Sequence, residues 1–311
     1  MTRSIRTLME GLVDYAGLFP PASLAMKPTV ENFARDRMGA HAWALGRIIC
    51  PASRLEELSQ HGAPLMPGTH ATSGYREHAD ALEPWRVAVV CDMPVEAALD
   101  AMDAFNEHHA GEDHGLATAD TIEIRVANVG EIDDALDRLP EDIYPYFEFP
   151  VSGDCRGFVA AVAGNDAGAK IRCGGVTPEA FPSAEQVAAF LHACTDARVA
   201  FKATAGLHHP VRAEHPVSDE PGAIRVVMHG YMNLFLAAAL LMHDALPRER
   251  TAELLLETDA RAFTFNNDRA EWRGHGVDLS ALNAARQKFA HSYGSCSFDD
   301  PIRDAQALAW L

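Results

Sequence analysis

The chain has 311 residues, 48% hydrophobic and 23% charged, enough for a substantial buried core and the composition of a folded globular protein. Lys and Arg number 26 against 44 Asp and Glu, a formal net charge of −18. A surface that acidic repels phosphate backbones and anionic lipid, which removes nucleic acid and membrane surfaces from the expected partners.

The six cysteines, Cys50, Cys91, Cys155, Cys173, Cys194 and Cys296, are widely spaced with no CxxC, so reduced thiols are expected. Near the N-terminus, Glu10 and Asp14 interrupt any apolar signal-peptide core. The strongest apolar run, 234–242, is about half the length of a membrane span. A cytoplasmic protein is the expectation.

In chain order, strand-like runs are predicted at 12–18 (LVDYAGL), 45–50 (LGRIIC), 85–91 (WRVAVVC) and 121–126 (TIEIRV). Four more follow at 144–149 (YPYFEF), 167–173 (AGAKIRC), 199–205 (VAFKATA) and 261–265 (RAFTF). Helix-like stretches alternate with them, as at 95–107, 131–139, 183–194, 231–246 and 279–290, with Pro94 and Ser183 as start signals. Strand alternating with helix implies parallel pairing, and eight such units predict one α/β domain over 1–311, a (β/α)8 TIM barrel. An open doubly wound sheet would carry a Gly-rich loop after its first strand, where this chain has Phe19-Pro20-Pro21. Polar insertions are expected at 62–84 and 108–119 on the N-terminal face, and at 212–222 on the C-terminal face. Residues 206–260 are predicted to form an extended loop and apolar helix over the C-terminal mouth. That greasy helix is either deeply buried or a subunit contact, so a homo-oligomer is compatible with it.

Side chains alternate along a strand, and helix-facing sides of barrel strands must be apolar. Ile122 and Ile124 oppose Glu123 and Arg125; Phe147 and Phe149 oppose Tyr146 and Glu148. Ile171 and Cys173 oppose Lys170 and Arg172, and Phe201 and Ala203 oppose Lys202 and Thr204. The charged sides therefore point inward, from four consecutive strands. Burying so many charges is costly unless they are paired, which leaves either a structural ion-pair layer or a functional site. Arg125 and Arg172 suit bidentate capture of a carboxylate or phosphate, so a small anionic metabolite is the expected partner.

Lysine is scarce: only Lys27, Lys170, Lys202 and Lys288. Two of the four lie on adjacent predicted strands. An ammonium beside another cation in a dry cavity has its pKa driven down, which frees the amine to attack a carbonyl. The segment 169–210, AKIRCGGVTPEAFPSAEQVAAFLHACTDARVAFKATAGLHHP, resembles the strand-six to strand-seven portion of class I aldolases of the deoxyribose-phosphate aldolase type. That family carries a Schiff-base lysine in Lys-Thr-Ser-Thr-Gly on strand six and a second lysine about thirty residues later on strand seven. The resemblance implies that Lys170 is the nucleophile and Lys202 the cation beside it, in an aldolase-like lyase. In this chain Ile171-Arg172-Cys173-Gly174-Gly175 replaces the family's Thr-Ser-Thr-Gly, and Ala205-Gly206 its Gly-Gly. Glu123 stands for its strand-four aspartate.

The catalytic set expected is thus Lys170, Lys202, Glu123 and Glu148. Arg125, Arg172, Thr204, His208 and Asn266 (the last at the end of the eighth predicted strand) are the expected substrate contacts. Histidines define a second reading: His208, His209 and His215 with a carboxylate would serve a metal-dependent hydrolase or isomerase. Neither HxH nor HExxH is present, so no metal or other cofactor is expected. A third reading is a non-catalytic binding barrel needing only the arginines. The stretch 14–21, DYAGLFPP, reads first as structural packing and second as a rigid lip of the mouth.

Overall fold

A computed structural model describes residues 1–68, 83–218 and 222–311. Eight parallel strands close into a barrel: β1 (Val13–Tyr15), β2 (Leu45–Pro51), β3 (Trp85–Val90), β4 (Ala117–Arg125), β5 (Tyr144–Glu148), β6 (Gly168–Arg172), β7 (Ala200–Thr204) and, after three excursions, β13 (Ala290–Ser295). The chain is a (β/α)8 TIM barrel. Closure runs β1-β13-β7-β6-β5-β4-β3-β2, so the last strand lies between the first and the seventh.

Apolar faces turn outward onto the helices, as strand parity requires. Ile122, Phe147, Ile171 and Phe201 are fully buried in the main core. Local signals set the helices that follow. Ser183 accepts from the Gln186 N–H at 3.2 Å while the Gln186 side chain accepts from the Ser183 N–H at 2.8 Å, a reciprocal cap that starts the helix Ala184–Ala197. Asn128 and Glu131 start Val129–Leu136 similarly.

The eighth strand differs from expectation. The 261–265 run does form a strand, β10 (Phe263–Phe265), but it pairs antiparallel with β11 (Arg269–Trp272), which pairs with β12 (His275–Asp278). This small sheet stands outside the barrel. The barrel's final strand is instead Ala-His-Ser-Tyr-Gly-Ser, small and polar, which carries almost none of the apolar signal of its neighbours.

The unit between β7 and β13 also departs from the predicted cover. Its helix Tyr231–Asp244 packs against the helices Ala184–Ala197, Arg248–Leu255 and Leu279–Lys288, and Tyr231 stacks on Tyr293 of β13 with ring centroids 5.5 Å apart. An all-apolar helix needs covering on every side, and this one finds that cover within the chain, in the barrel wall. The segment just after β7, with Gly206 and His208, reaches the mouth, and so does the hairpin of β8 (Ala213–Pro216) and β9 (Arg225–Met228), where Val217 and Met228 line the cavity. Of the expected insertions, 69–82 and 219–221 lie outside the described residues. Among the described residues no helix is long and apolar enough to cross a membrane.

Candidate active site

The parallel register brings the inward charges to adjoining levels. Arg125 pairs with Glu148 across β4–β5, Glu148 with Lys170 across β5–β6, and Lys170 with Lys202 across β6–β7. β4 delivers Arg125 to the rim and Glu123, two residues earlier, to the buried interior.

There the charges join. Lys170 Nζ lies 2.6 Å from Glu123 Oε2 and 2.7 Å from Glu148 Oε2. Lys202 Nζ lies 2.6 Å from the other Glu123 oxygen and 2.7 Å from Asp14 Oδ2. Glu123 therefore bridges the two lysines, one on each oxygen. Arg172 Nε donates to Glu148 Oε1 at 2.9 Å. Asp14 also accepts from Ser292 Oγ at 2.7 Å and from the Arg47 N–H at 2.8 Å. Gly46 makes room for that carboxylate: a Cβ there would overlap Asp14 Oδ1.

Electrostatics follow from the pairing. Burial works to raise the Glu123 carboxyl, but the two ammonium groups outweigh it and bring it down to about 2. Glu148 is lowered as well, against burial, by Lys170 and Arg172. For Lys202, burial disfavours the ammonium, yet Asp14 and Glu123 prevail and its pKa is raised. The lowering expected of one ammonium beside another cation is not what this pairing gives: each lysine meets two carboxylates, and for Lys202 the balance is upward. Three acids interleave with the cations because strand register sets Glu148 beside Lys170, and both oxygens of Glu123 are taken up by ammonium groups.

Beneath this layer the interior is closed. Lys202 Nζ sits over the Tyr146 ring at 5.5 Å, and the Tyr146 hydroxyl is hydrogen-bonded to His291 Nδ1 at 2.5 Å. Burial, then Arg286, pushes His291 down to about 4, which keeps its ring neutral. Farther from the cavity, Arg47 Nε pairs with Asp120 at 2.9 Å, both of them partly exposed.

Above it opens a cavity of about 570 Å3, within the range of small-molecule sites. Glu123, Glu148, Lys170, Arg125, Arg172, Thr204 and His208 all line it. Lys202 does not; it is 1% exposed and lies one layer below. Arg125 is exposed at the rim and, among the described residues, makes no ion pair or side-chain hydrogen bond. The opposite wall is apolar: Ala16, Phe19, Pro20 and Pro21 after β1, Ile49 from β2 and Val90 from β3. The lip reading of 14–21 thus describes Phe19-Pro20-Pro21, and Gly294 opens the floor, since a Cβ there would come within 3.0 Å of Ile49 Cδ1.

Asn266 is misplaced in the sequence reading. Its carbonyl accepts from the Ser4 N–H and its side chain caps the turn into β11 at Asp268 and Arg269, apart from the cavity lining. It is turn chemistry, as its position after β10, a strand outside the barrel, dictates. His208, His209 and His215 do gather beside one another, with the His208 and His209 ring centroids 6.5 Å apart, but in a stack. His209 Nδ1 meets Asp304 Oδ2 at 2.5 Å, and its ring stacks on His215 with centroids 3.3 Å apart. His229 Nε2 turns to the Pro182 carbonyl at 2.7 Å. Among the described residues no three His, Cys, Asp or Glu side chains are placed to hold a metal ion.

Sequence reasoning missed Asp14, Ser292 and the Tyr146–His291 pair. Parity applied to β1 finds the first, since Val13 and Tyr15 face the helices and Asp14 must then face inward. Ser292 had no signal, because its strand was not recognised.

Comparison of the chain with family models, with curated proteins and with solved structures finds no match. The aldolase resemblance of residues 169–210 therefore stands on the barrel and the two lysines alone.

Proposed function

We propose that the protein is an aldolase-like carbon–carbon lyase, acting on a small anionic carbonyl compound through a Schiff base at Lys170. The observation that carries this reading is Lys170 Nζ at the base of the cavity, in contact with two carboxylates, Glu123 and Glu148, that also line the cavity. Glu148 takes the proton that the ammonium must lose, and Glu123 spans the two lysines, one on each oxygen. The freed amine adds to the substrate carbonyl, Glu148 returns the proton to the departing oxygen, and water leaves. The resulting iminium carries the same single positive charge as the ammonium it replaces, so the ion-pair layer that holds one also holds the other. A carboxylate of the layer then takes the proton of the substrate's β-hydroxyl, the bond between the α and β carbons breaks, and its electron pair moves through the α carbon to the iminium nitrogen, releasing an aldehyde and leaving an enamine. Protonation at carbon and hydrolysis return the free lysine. Arg125 and Arg172 anchor the substrate's anionic group at the rim.

Borohydride reduction in the presence of a panel of small aldehydes and keto acids, read by intact mass, tests the step. The expected result is a single adduct that is lost in Lys170→Ala and kept in Lys288→Ala, whose lysine is exposed on an outer helix. No adduct across the panel overturns the reading and leaves the lysines as a structural ion-pair layer.

A further inference from the structure

We infer that the substrate is amphiphilic, with a carboxylate held between Arg125 and Arg172 and an apolar body of branched-alkyl or aryl size laid against the wall of β1–β3. The inference rests on the Lys170 reading for the position of the carbonyl between those two ends. The cavity itself supplies the argument. Ala16, Phe19, Pro20, Pro21, Ile49 and Val90 present no charge and no side-chain hydrogen-bonding group on the β1–β3 side, where the one thiol, that of Cys91, is given to the Met93 carbonyl at 3.2 Å. Ala16, Ile49 and Ala88 form a buried cluster against which Phe19 and Val90 pack, so this wall is already dry in its deeper part. A substrate carrying hydroxyls on that side would bury them without partners, at a cost a hydrophobic group does not incur. Val90 is the strand partner of Glu123, so the apolar wall meets the charged one directly at β3–β4, within reach of a single small molecule.

The arginines point to the other end. Arg125 has no protein counter-ion among the described residues, and Arg172 gives Nε and Nη2 to Glu148, which leaves Nη1 outside that pair. Two guanidinium groups on alternate strands, one wholly available, match the planar fork of a carboxylate.

The test separates this inference from the lyase reading by measuring affinity with ligands that lack a carbonyl to attack. Titration calorimetry on the full chain with acetate, 3-methylbutanoate and phenylacetate should show affinity rising at least tenfold from the first to the last. Arg125→Gln should weaken all three alike. Phe19→Ala and the near-isosteric Val90→Thr should shrink the difference between them while leaving acetate unchanged. Equal binding of acetate and phenylacetate overturns the inference, as does tighter binding of glycerol 3-phosphate than of phenylacetate. The same samples are then reduced with borohydride after addition of pyruvate or 4-methyl-2-oxopentanoate. A graded affinity without any adduct leaves the amphiphilic site standing and removes the Schiff base. An adduct without graded affinity does the reverse.

Discussion

Strands β1–β3 and strands β4–β7 enclose one cavity with opposite chemistry. On the first side Ala16, Ile49 and Ala88 form a small buried apolar cluster with Phe19 and Val90 packed against it. On the second, Glu123, Glu148, Lys170 and Lys202 are each less than a tenth exposed and every one is paired. The two sides differ in how they fail. Apolar packing is lost in proportion to the area or volume removed. A buried charge pair fails all at once, because removing one partner strands the other in a medium that cannot solvate it.

The sharpest way to break the comparison is Lys202→Met. It leaves Asp14 and Glu123 short of a counter-ion and should cost about 3–5 kcal/mol by urea denaturation. A loss below about 1 kcal/mol would mean that the charged side tolerates change as the apolar side does. Acid is the next probe. Glu123 sits at about 2 in the folded chain against an ordinary 4.5, and Glu148 is lowered too. A depressed carboxylate contributes fully above its unfolded value and loses the contribution as pH falls through the folded one. Stability should therefore drop by about 3 kcal/mol on Glu123's account between pH 4.5 and 2, and Glu123→Gln should flatten that part of the profile. Lys202, raised, acts at the other end: its contribution is complete below its ordinary 10.5 and fades only above it. The smallest effect belongs to the apolar side, where Ile49→Val should cost about 1 kcal/mol in the same denaturation assay, with the acid limb of the profile unmoved.

The same contrast governs how much could be read from the chain. Inward charges on β4, β5, β6 and β7 were legible because each alternates with large apolar residues that must face the helices. β13 was not, since His291, Ser292 and Gly294 give no hydrophobic period, and the Phe-Thr-Phe of β10 imitated a barrel strand while pairing elsewhere. Asp14 was overlooked on a strand only three residues long, where alternation has little room to declare itself. Ion-pair partners stayed hidden for a different reason. Parity tells which way a side chain points, whereas the bridging of Lys170 and Lys202 by Glu123 depends on barrel closure bringing β4 opposite β6 and β7.

That bridge has a consequence for how the chain reaches its native state. Asp14 and Glu123 belong to the half of the chain synthesised first, and the ammonium groups that neutralise them belong to the second. A half-barrel ending after β4 would hold two acids turned inward with no cation from β6 or β7 to meet them, so its interior must stay wet until the later strands arrive. Assembly is thereby tied to completion of the ring: the amino-terminal fragment expressed alone gains little from closing, and adding the carboxy-terminal fragment in trans supplies the missing charges to both acids together.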